Sequence, residues 1–228
     1  MTLLTLHQEV RRLFAVAVML GIASIASLSP ARAQAEIGQP AQEGEASPQA
    51  SARTFIWIRD PWSGKTVLTS FSEPDQSLWD STQIADYEKA LKEEFPPPLG
   101  LLVIRDLNIE VPIYNGTEEH ILDRGAGRIK GMAKMDDEGN LGISAHRDSF
   151  FRGLKDIEMG DEILVQSAHG VEKYAVSDID IVPKDDVSVL APVDQKTLTL
   201  VTCYPFYHVG AAPERFIVTA SPVPDAIE

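Results

Sequence analysis

From Gly100 onward, the sequence is a series of short apolar stretches divided by turn residues. Such a series, about eight strands with one or two short helices, predicts a mainly β protein that closes into a β-barrel. The one short helix in this part of the chain is predicted at 117–122. The strands are predicted at 101–106, 109–114, 140–146, 162–167, 171–182, 197–203 and 215–220.

The first 33 residues have the layout of an export signal. Arg11-Arg12 precede the apolar run Leu13–Leu28, and Ala31-Arg32-Ala33 follows with the A-x-A pattern of a cleavage site. The run is shorter than the about 20 residues that span a bilayer comfortably, but an uncleaved membrane anchor stays open as the alternative. Both interpretations place the residues after 33 outside the cytoplasm, in the periplasm or anchored at the inner membrane.

Two regions separate this segment from the barrel. Residues 34–53 are rich in Ala, Gln, Glu, Gly, Ser and Pro, which predicts a disordered linker. Residues 54–97 are predicted to form an N-terminal extension of short strands and one helix that packs on the barrel. Its helix is expected from Asp80 or Ser81 to about Glu94, with an apolar face of Ile84, Tyr87 and Leu91.

Charge and cysteine content exclude several classes of protein. The formal net charge is −14 at pH 7, which argues against nucleic acid or anionic headgroups as partners. Cys203 is the only cysteine, so an internal disulfide is impossible. A lone thiol in an exported protein is either reactive or a link to another molecule.

Cys203 ends a predicted strand, since Tyr204-Pro205 follows it and proline cannot donate to a strand ladder. If strands 197–203 and 215–220 pair as a hairpin, Arg215 lies across from Cys203 with Cβ atoms about 5 Å apart. A cation beside a thiol favours the thiolate. The pattern therefore indicates a nucleophile, and the alternative is a buried cysteine that acts as a small apolar residue.

Three segments together resemble the sortases, which are bacterial cysteine transpeptidases. They are TLVTC followed by YPF, RFIV twelve residues after the cysteine, and AHRDSFFRGL earlier in the chain. The resemblance covers about 98–223, which is the predicted catalytic domain, and is greatest to the class D type of Gram-negative bacteria. It implies an eight-stranded sortase-type β-barrel.

The resemblance also implies a catalytic set of Cys203, His146 and Arg215. A histidine beside the thiol can protonate the leaving amine and then deprotonate the acceptor. The planar, permanently charged guanidinium of Arg215 suits a developing oxyanion. His208, five residues past the cysteine, is the main competitor of His146 and is otherwise expected to line the cleft.

Further candidates surround this set. Asp148 is placed to orient His146, because side chains two residues apart on an extended chain face the same side, although a solvated carboxylate is an equal alternative. Thr202 could assist at the oxyanion through its hydroxyl or its backbone N–H. Arg147 and Arg152 compete with Arg215, but neither begins the strand predicted to pair with the Cys203 strand.

No cofactor and no metal are predicted. The glycine-rich segment 123–131 lacks a phosphate-loop lysine at the required spacing. The acidic segment 136–140 lacks the spacing of a calcium loop, and the chain has no Cys/His cluster for zinc.

The implied function is that of an extracytoplasmic sortase, a cysteine transpeptidase or peptidase of the EC 3.4.22 class. It would cleave an LPxTG-like C-terminal sorting signal of a substrate protein through a Cys203 thioester and transfer that protein to an amine acceptor in the cell envelope. The membrane is a further partner if the N-terminal segment is uncleaved. The alternatives are a cysteine peptidase that releases the protein to water and an exported, non-catalytic β-barrel module.

Overall fold

The computed structural model describes residues 53–207 and 210–224. The predicted export segment lies outside the described residues, as does the linker apart from Arg53. Within these two ranges, neither α-helix is long and apolar enough to cross a membrane.

The chain forms a mainly β fold in which eight strands close into a barrel, as the sequence predicted. A small hairpin and two α-helices accompany it. The hairpin is β1 (Arg53–Arg59) and β2 (Thr66–Ser72), and the helices are α1 (Ser81–Lys92) and α2 (Glu119–Leu122). The barrel strands are β3 (Gly100–Ile104), β4 (Ile109–Asn115), β5 (Ala126–Arg128), β6 (Asn140–Ser144), β7 (Glu162–Ser167), β8 (Val171–Pro183), β9 (Thr197–Tyr204) and β10 (Glu214–Pro222).

The strand order around the barrel is β10-β8-β7-β3-β4-β5-β6-β9. Strand β9 therefore has two neighbours: it pairs parallel with β6 and antiparallel with β10. The barrel interior is filled by aliphatic side chains that alternate along these strands, as a half-buried strand requires. Fully buried examples are Leu102, Ile113, Ile143, Leu198, Leu200 and Val218.

Strand β5 was missed by the sequence analysis, which treated LDRGAGRIKG as a glycine-rich loop. Its three residues pair parallel with β4, and two of them, Gly127 and Arg128, pair antiparallel with β6, which closes the barrel. Gly127 explains the glycine content, because a Cβ at this position would lie 1.9 Å from the carbonyl oxygen of Gly116. Three residues are too short to display a period-2 pattern, so no alternation marked this strand.

The β1–β2 hairpin packs on the barrel through a small apolar cluster of Ile58, Phe71, Leu101 and Ala168. At the hairpin turn, the carboxylate of Asp60 accepts from Ser63 and lies 3.0 Å from Nε2 of His169, a residue of the β7–β8 turn. A polar contact thus lies at one end of the apolar interface between the hairpin and the barrel.

Helix α1 begins at a capping box. The side chain of Asp80 accepts from the backbone N–H groups of Thr82 and Gln83, and the Gln83 side chain accepts from the N–H of Asp80. The predicted apolar face was partly wrong: Tyr87 is buried, but Leu91 is 48% exposed and Ala90 is buried in its place.

An aromatic cluster joins this N-terminal extension to the barrel. Trp79, Tyr87 and Phe150 pack edge to face, with ring centroids 5.2 to 5.9 Å apart. Phe150 lies four residues after His146, so the extension supports the segment that follows the predicted catalytic histidine.

Candidate active site

Cys203 lies on β9, one residue before the strand ends, and is half-buried. Its neighbour Thr202 is buried, and Leu200 is fully buried in the barrel. Since side chains alternate along a strand, Cys203 belongs to the opposite, outer face of the barrel. The thiol is therefore carried by a rigid element without being enclosed in the core.

Arg215 is directly opposite Cys203 in the β9–β10 pair. Directly opposed residues of an antiparallel pair have their side chains on the same face of the sheet. The guanidinium donates through Nη1 to the carbonyl oxygens of Glu214 at 2.8 Å and Ala212 at 3.4 Å. Among the ion pairs of the described residues, none joins Arg215 to the carboxylate of the adjacent Glu214.

His146 follows the strand on the other side of β9. The parallel β6–β9 register ends with Ser144 opposite Val201. The Ala145 N–H still donates to the Val201 carbonyl at 3.4 Å, and the buried Thr202 hydroxyl donates to the Ala145 carbonyl at 2.8 Å. If the same register continued for two residues beyond Ser144 and Val201, His146 would lie beside Cys203.

The half-buried side chains of Ser144 and His146 flank the buried Ala145. An extended backbone over these three residues would give His146 the same face as Cys203. Cys203 and Arg215 are thus direct strand partners, and His146 belongs to the segment that follows β6, the other neighbour of β9. Such a set can supply an acid–base group, a nucleophile and an oxyanion donor.

Comparison with known proteins decides the family. Residues 102–223 match the family model described as the sortase domain. The chain is also 37% identical over 139 residues to Sortase D of Bacillus subtilis (strain 168), covering 60% of this chain and 70% of that protein. The chain belongs to the sortase family. It is therefore, at the level of the family, a cysteine transpeptidase.

Solved sortase structures have the same fold. Sortase C1 of Streptococcus agalactiae matches with a TM-score of 0.53 and 26% identity, over 57% of this chain and 69% of that one. Sortase C-1 of Actinomyces oris matches with a TM-score of 0.52 and 27% identity, over 63% of this chain and 84% of that one. A Clostridium perfringens Sortase D5 transpeptidase, 24% identical with a TM-score of 0.52 over 65% and 92% of the two chains, supports the fold alone.

The Thr202 hydroxyl of this sortase already makes a hydrogen bond within the protein. Thr202 is 1% exposed, and its hydroxyl hydrogen is donated to the Ala145 carbonyl. This contact ties β9 to the residue before His146. The Thr202 side chain thus has a structural contact. A role of Thr202 at the oxyanion stays a prediction, and it concerns the backbone N–H.

The carboxylates nearest to the His146 ring were missed by the sequence analysis, which considered Asp148. Glu119 Oε1 and Asp123 Oδ1 both lie 3.7 Å from Nε2 of His146. No hydrogen bond or ion pair joins Asp148 to His146 among the described residues. Glu119 and Asp123 are about one helical turn apart, and the i, i+4 spacing of two acids just before the glycine-rich segment was the available signal.

The environment of Asp123 disfavours its charge. Burial, together with the negative charge of Glu119, raises the pKa of the Asp123 carboxyl above its ordinary value, and His146 opposes this effect. Asp86 of α1 adds a further negative charge. A carboxylate is thus held close to His146 at an electrostatic cost, which is typical of functional sites.

The ligand atoms of Glu119, Asp123 and His146 lie within 4.8 Å of one another, close enough to face a common cation. Glu119 is 81% exposed, however, and acidic side chains at a surface often lie together without a metal. The absence of a metal and of a cofactor stays a prediction.

Both rival arginines contact the segment that follows Cys203. Nη2 of Arg147 donates to the Gly210 carbonyl at 3.2 Å. The Arg152 guanidinium lies 5.7 Å from the centre of the Tyr207 ring and donates to the Leu78 carbonyl at 3.0 Å. These contacts connect the segment after His146 to the loop between β9 and β10. His208, the rival histidine, lies outside the described residues.

Proposed function

We propose that this sortase cleaves an LPxTG-like C-terminal sorting signal and transfers the substrate protein to an amine outside the cytoplasm. One observation supports the assignment of residues: Cys203 and Arg215 are direct partners in the β9–β10 pair, and His146 follows β6, the other neighbour of β9. The family supplies the reaction class, and the register supplies the roles within this chain.

In the first half-reaction, the Cys203 thiolate attacks the carbonyl carbon of the threonine in the sorting signal. A C–S bond forms, and the carbonyl oxygen becomes an oxyanion that the Arg215 guanidinium stabilises. As the C–N bond breaks, the His146 imidazolium gives its proton to the departing amine. The products are a thioester on Cys203, a neutral imidazole and the released C-terminal peptide.

In the second half-reaction, an acceptor amine attacks the thioester. His146 takes a proton from this amine, an amide bond forms, and the C–S bond breaks to regenerate the thiolate. The enzyme returns to its starting protonation state. With water as the acceptor, the same steps release a free carboxylic acid.

The acceptor is expected in the cell envelope, because residues 1–33 have an export layout that leaves the catalytic domain outside the cytoplasm. Substrate choice is expected to depend on the loops at 183–196 and 204–214, which border the strand of Cys203. Asn140 supports the first of these loops, since its Nδ2 donates to the carbonyls of Val189 and Ala191 at 3.3 and 3.4 Å.

Mass spectrometry of the purified domain with LPxTG-type peptides tests this function. The wild type should gain the mass of the acyl group on Cys203 and, after an amine is added, release an amide product. Cys203→Ala should fold but form no adduct, and His169→Ala is the matched control because that histidine contacts Asp60 away from β9.

Product masses separate the alternatives. An amide adduct with added amine supports transpeptidation, whereas only a free acid at saturating amine identifies a peptidase. A folded wild type that neither cleaves any peptide of a sorting-signal library nor forms an adduct contradicts the proposed function.

A further inference from the structure

We propose that Asp123, assisted by Glu119, is a positioning residue that holds the His146 imidazolium for the transfer reaction. This inference rests on the proposed function, since it explains how the acid–base group of that reaction is oriented beside two carboxylates. It assigns a role to the carboxylates of Glu119 and Asp123, which lie outside the AHRD motif at residues 145–148.

The geometry comes from one short turn of helix. Residues Glu119 and Asp123 are four apart, and the Asp123 N–H donates to the Glu119 carbonyl at 2.8 Å. This spacing places both side chains on one side of α2. Their oxygens Oε1 and Oδ1 then meet the same ring nitrogen, Nε2 of His146, at 3.7 Å each.

The two carboxylates are not equivalent. The Asp123 side chain is 24% exposed and the Glu119 side chain is 81% exposed. Solvent screens an exposed charge, so the shielded Asp123 carboxylate acts more strongly on the ring than Glu119 does. Asp123 is therefore the main partner and Glu119 the weaker one.

Other charged groups face the same region from each neighbouring element. Asp86 of α1 acts on Asp123 with a further negative charge. On the barrel, Cys203 belongs to β9, which pairs with the strand that ends just before His146, and Arg215 of β10 lies opposite Cys203. Next along the chain, Nη2 of Arg147 donates to the Gly210 carbonyl, and no hydrogen bond or ion pair joins Asp148 to the ring among the described residues.

A negative group on one side of an imidazole favours the charged ring and fixes its orientation. The carboxylates of Glu119 and Asp123 lie on the Nε2 side of the His146 ring. The proposed reaction needs an imidazolium to protonate the departing amine. Such an arrangement resembles in its logic the carboxylate that orients the histidine of a hydrolase triad, although here it comes from a separate helix.

The test is the pH dependence of kcat/KM for peptide transfer in the wild type and Asp123→Asn. Removing the negative charge should move the midpoint of at least one limb of the profile to lower pH, by about half a pH unit or more. The maximal kcat/KM should fall by about 10-fold or more, as expected for disturbing an acid–base group. Asp123→Glu, which keeps the charge, should restore most of the activity.

Two variants of neighbouring acids are the controls. Glu119→Gln should move the same limb in the same direction by less, because its charge is more screened. Glu118→Gln removes an acid of the same segment that pairs with Lys130 rather than with His146, and its profile should match the wild type. Circular dichroism of each variant verifies that it is folded.

The proposal is overturned if both midpoints of the Asp123→Asn pH profile equal those of the wild type. A merely structural role predicts unchanged midpoints, even if the maximal kcat/KM falls. This outcome leaves the proposed function intact, because the wild type would still form its Cys203-dependent product. If Asp123→Asn does not fold, Asp123→Ser takes its place in histidine NMR: an unaltered His146 titration midpoint in Asp123→Ser overturns the proposal.

Discussion

At the residue scale, the site depends on strand register rather than on neighbouring positions in the sequence. Arg215 is twelve residues from Cys203 in the chain and is its direct partner in the β9–β10 pair. A shift of one residue in this register would move Arg215 to the other face of the sheet. The burial pattern that fixes the register of the two strands therefore also fixes the face of the sheet on which Arg215 lies.

Arg215→Ala should lower kcat/KM for peptide cleavage by about 100-fold or more, the usual cost of removing an oxyanion donor. Arg215→Lys should recover only a small part, because a lysine ammonium lacks the planar donor pair. The matched control is Arg105→Ala, whose side chain is 74% exposed and whose nearest carboxylate is 3.9 Å away. Equal activities of the Arg215→Ala and Arg105→Ala variants would contradict the role of Arg215.

Thr202→Val should lower the free energy of unfolding by about 1–3 kcal/mol, since it leaves the Ala145 carbonyl without its hydroxyl donor in a buried place. Urea denaturation measures this loss. Thr202→Ser keeps the hydroxyl and should lose less of the hydrogen-bond contribution. If the valine variant is as stable as the serine variant, the hydrogen bond does not tie β9 to the His146 segment.

At the element scale, the N-terminal extension supports the barrel from outside. Helix α1 contributes Tyr87 to the cluster with Trp79 and Phe150, and Phe150 belongs to the segment that follows His146. The extension is thus connected to the candidate site by packing. Loss of this packing should affect stability first and catalysis second.

Trp79→Ala should lower the free energy of unfolding by about 3 kcal/mol or more, as large-to-small changes of buried aromatic residues do. Trp57→Ala is the matched control, because Trp79 is 9% exposed and Trp57 is 57% exposed. The control should change stability by about 0.5 kcal/mol or less. Similar losses in both variants would show that the aromatic cluster does not support the fold.

The turn of the β1–β2 hairpin predicts a pH dependence. Hydrogen bonds from Ser63, and further those from His169 and the backbone, hold the pKa of Asp60 well below its ordinary value. A group with a lowered folded pKa stabilises the protein above its unfolded pKa, about 3.9, and this contribution is lost as the pH falls toward the folded value.

Urea denaturation of the wild type and Asp60→Asn should therefore differ most at neutral pH, and the difference should shrink below about pH 4. Asp156→Asn is the control, since Asp156 pairs only with its neighbour Lys155 among the described residues. A wild-type advantage over Asp60→Asn that is the same at pH 7 and pH 3 would contradict this account.

At the scale of the whole molecule, the barrel was predictable because its long strands alternate apolar and polar residues. The opposition of Cys203 and Arg215 was predicted on the condition that these two strands form a hairpin, and the observed β9–β10 pairing meets that condition. Strand β5 was not predictable, because three residues carry no period and its glycines serve close backbone approach. The carboxylates of Glu119 and Asp123 were missed because their contact with His146 depends on tertiary packing, whereas Asp148 was considered because it is near in sequence.

The central claim is that a thiol, an imidazole and a guanidinium share one site, and the single cysteine allows a direct test. The measurement is the rate of Cys203 alkylation by iodoacetamide as a function of pH in the wild type, His146→Ala, Arg215→Ala and His169→Ala. The first two variants remove a cation beside the thiol, so their rate profiles should move to higher pH, while His169→Ala should match the wild type. Four superimposable profiles would contradict a shared site.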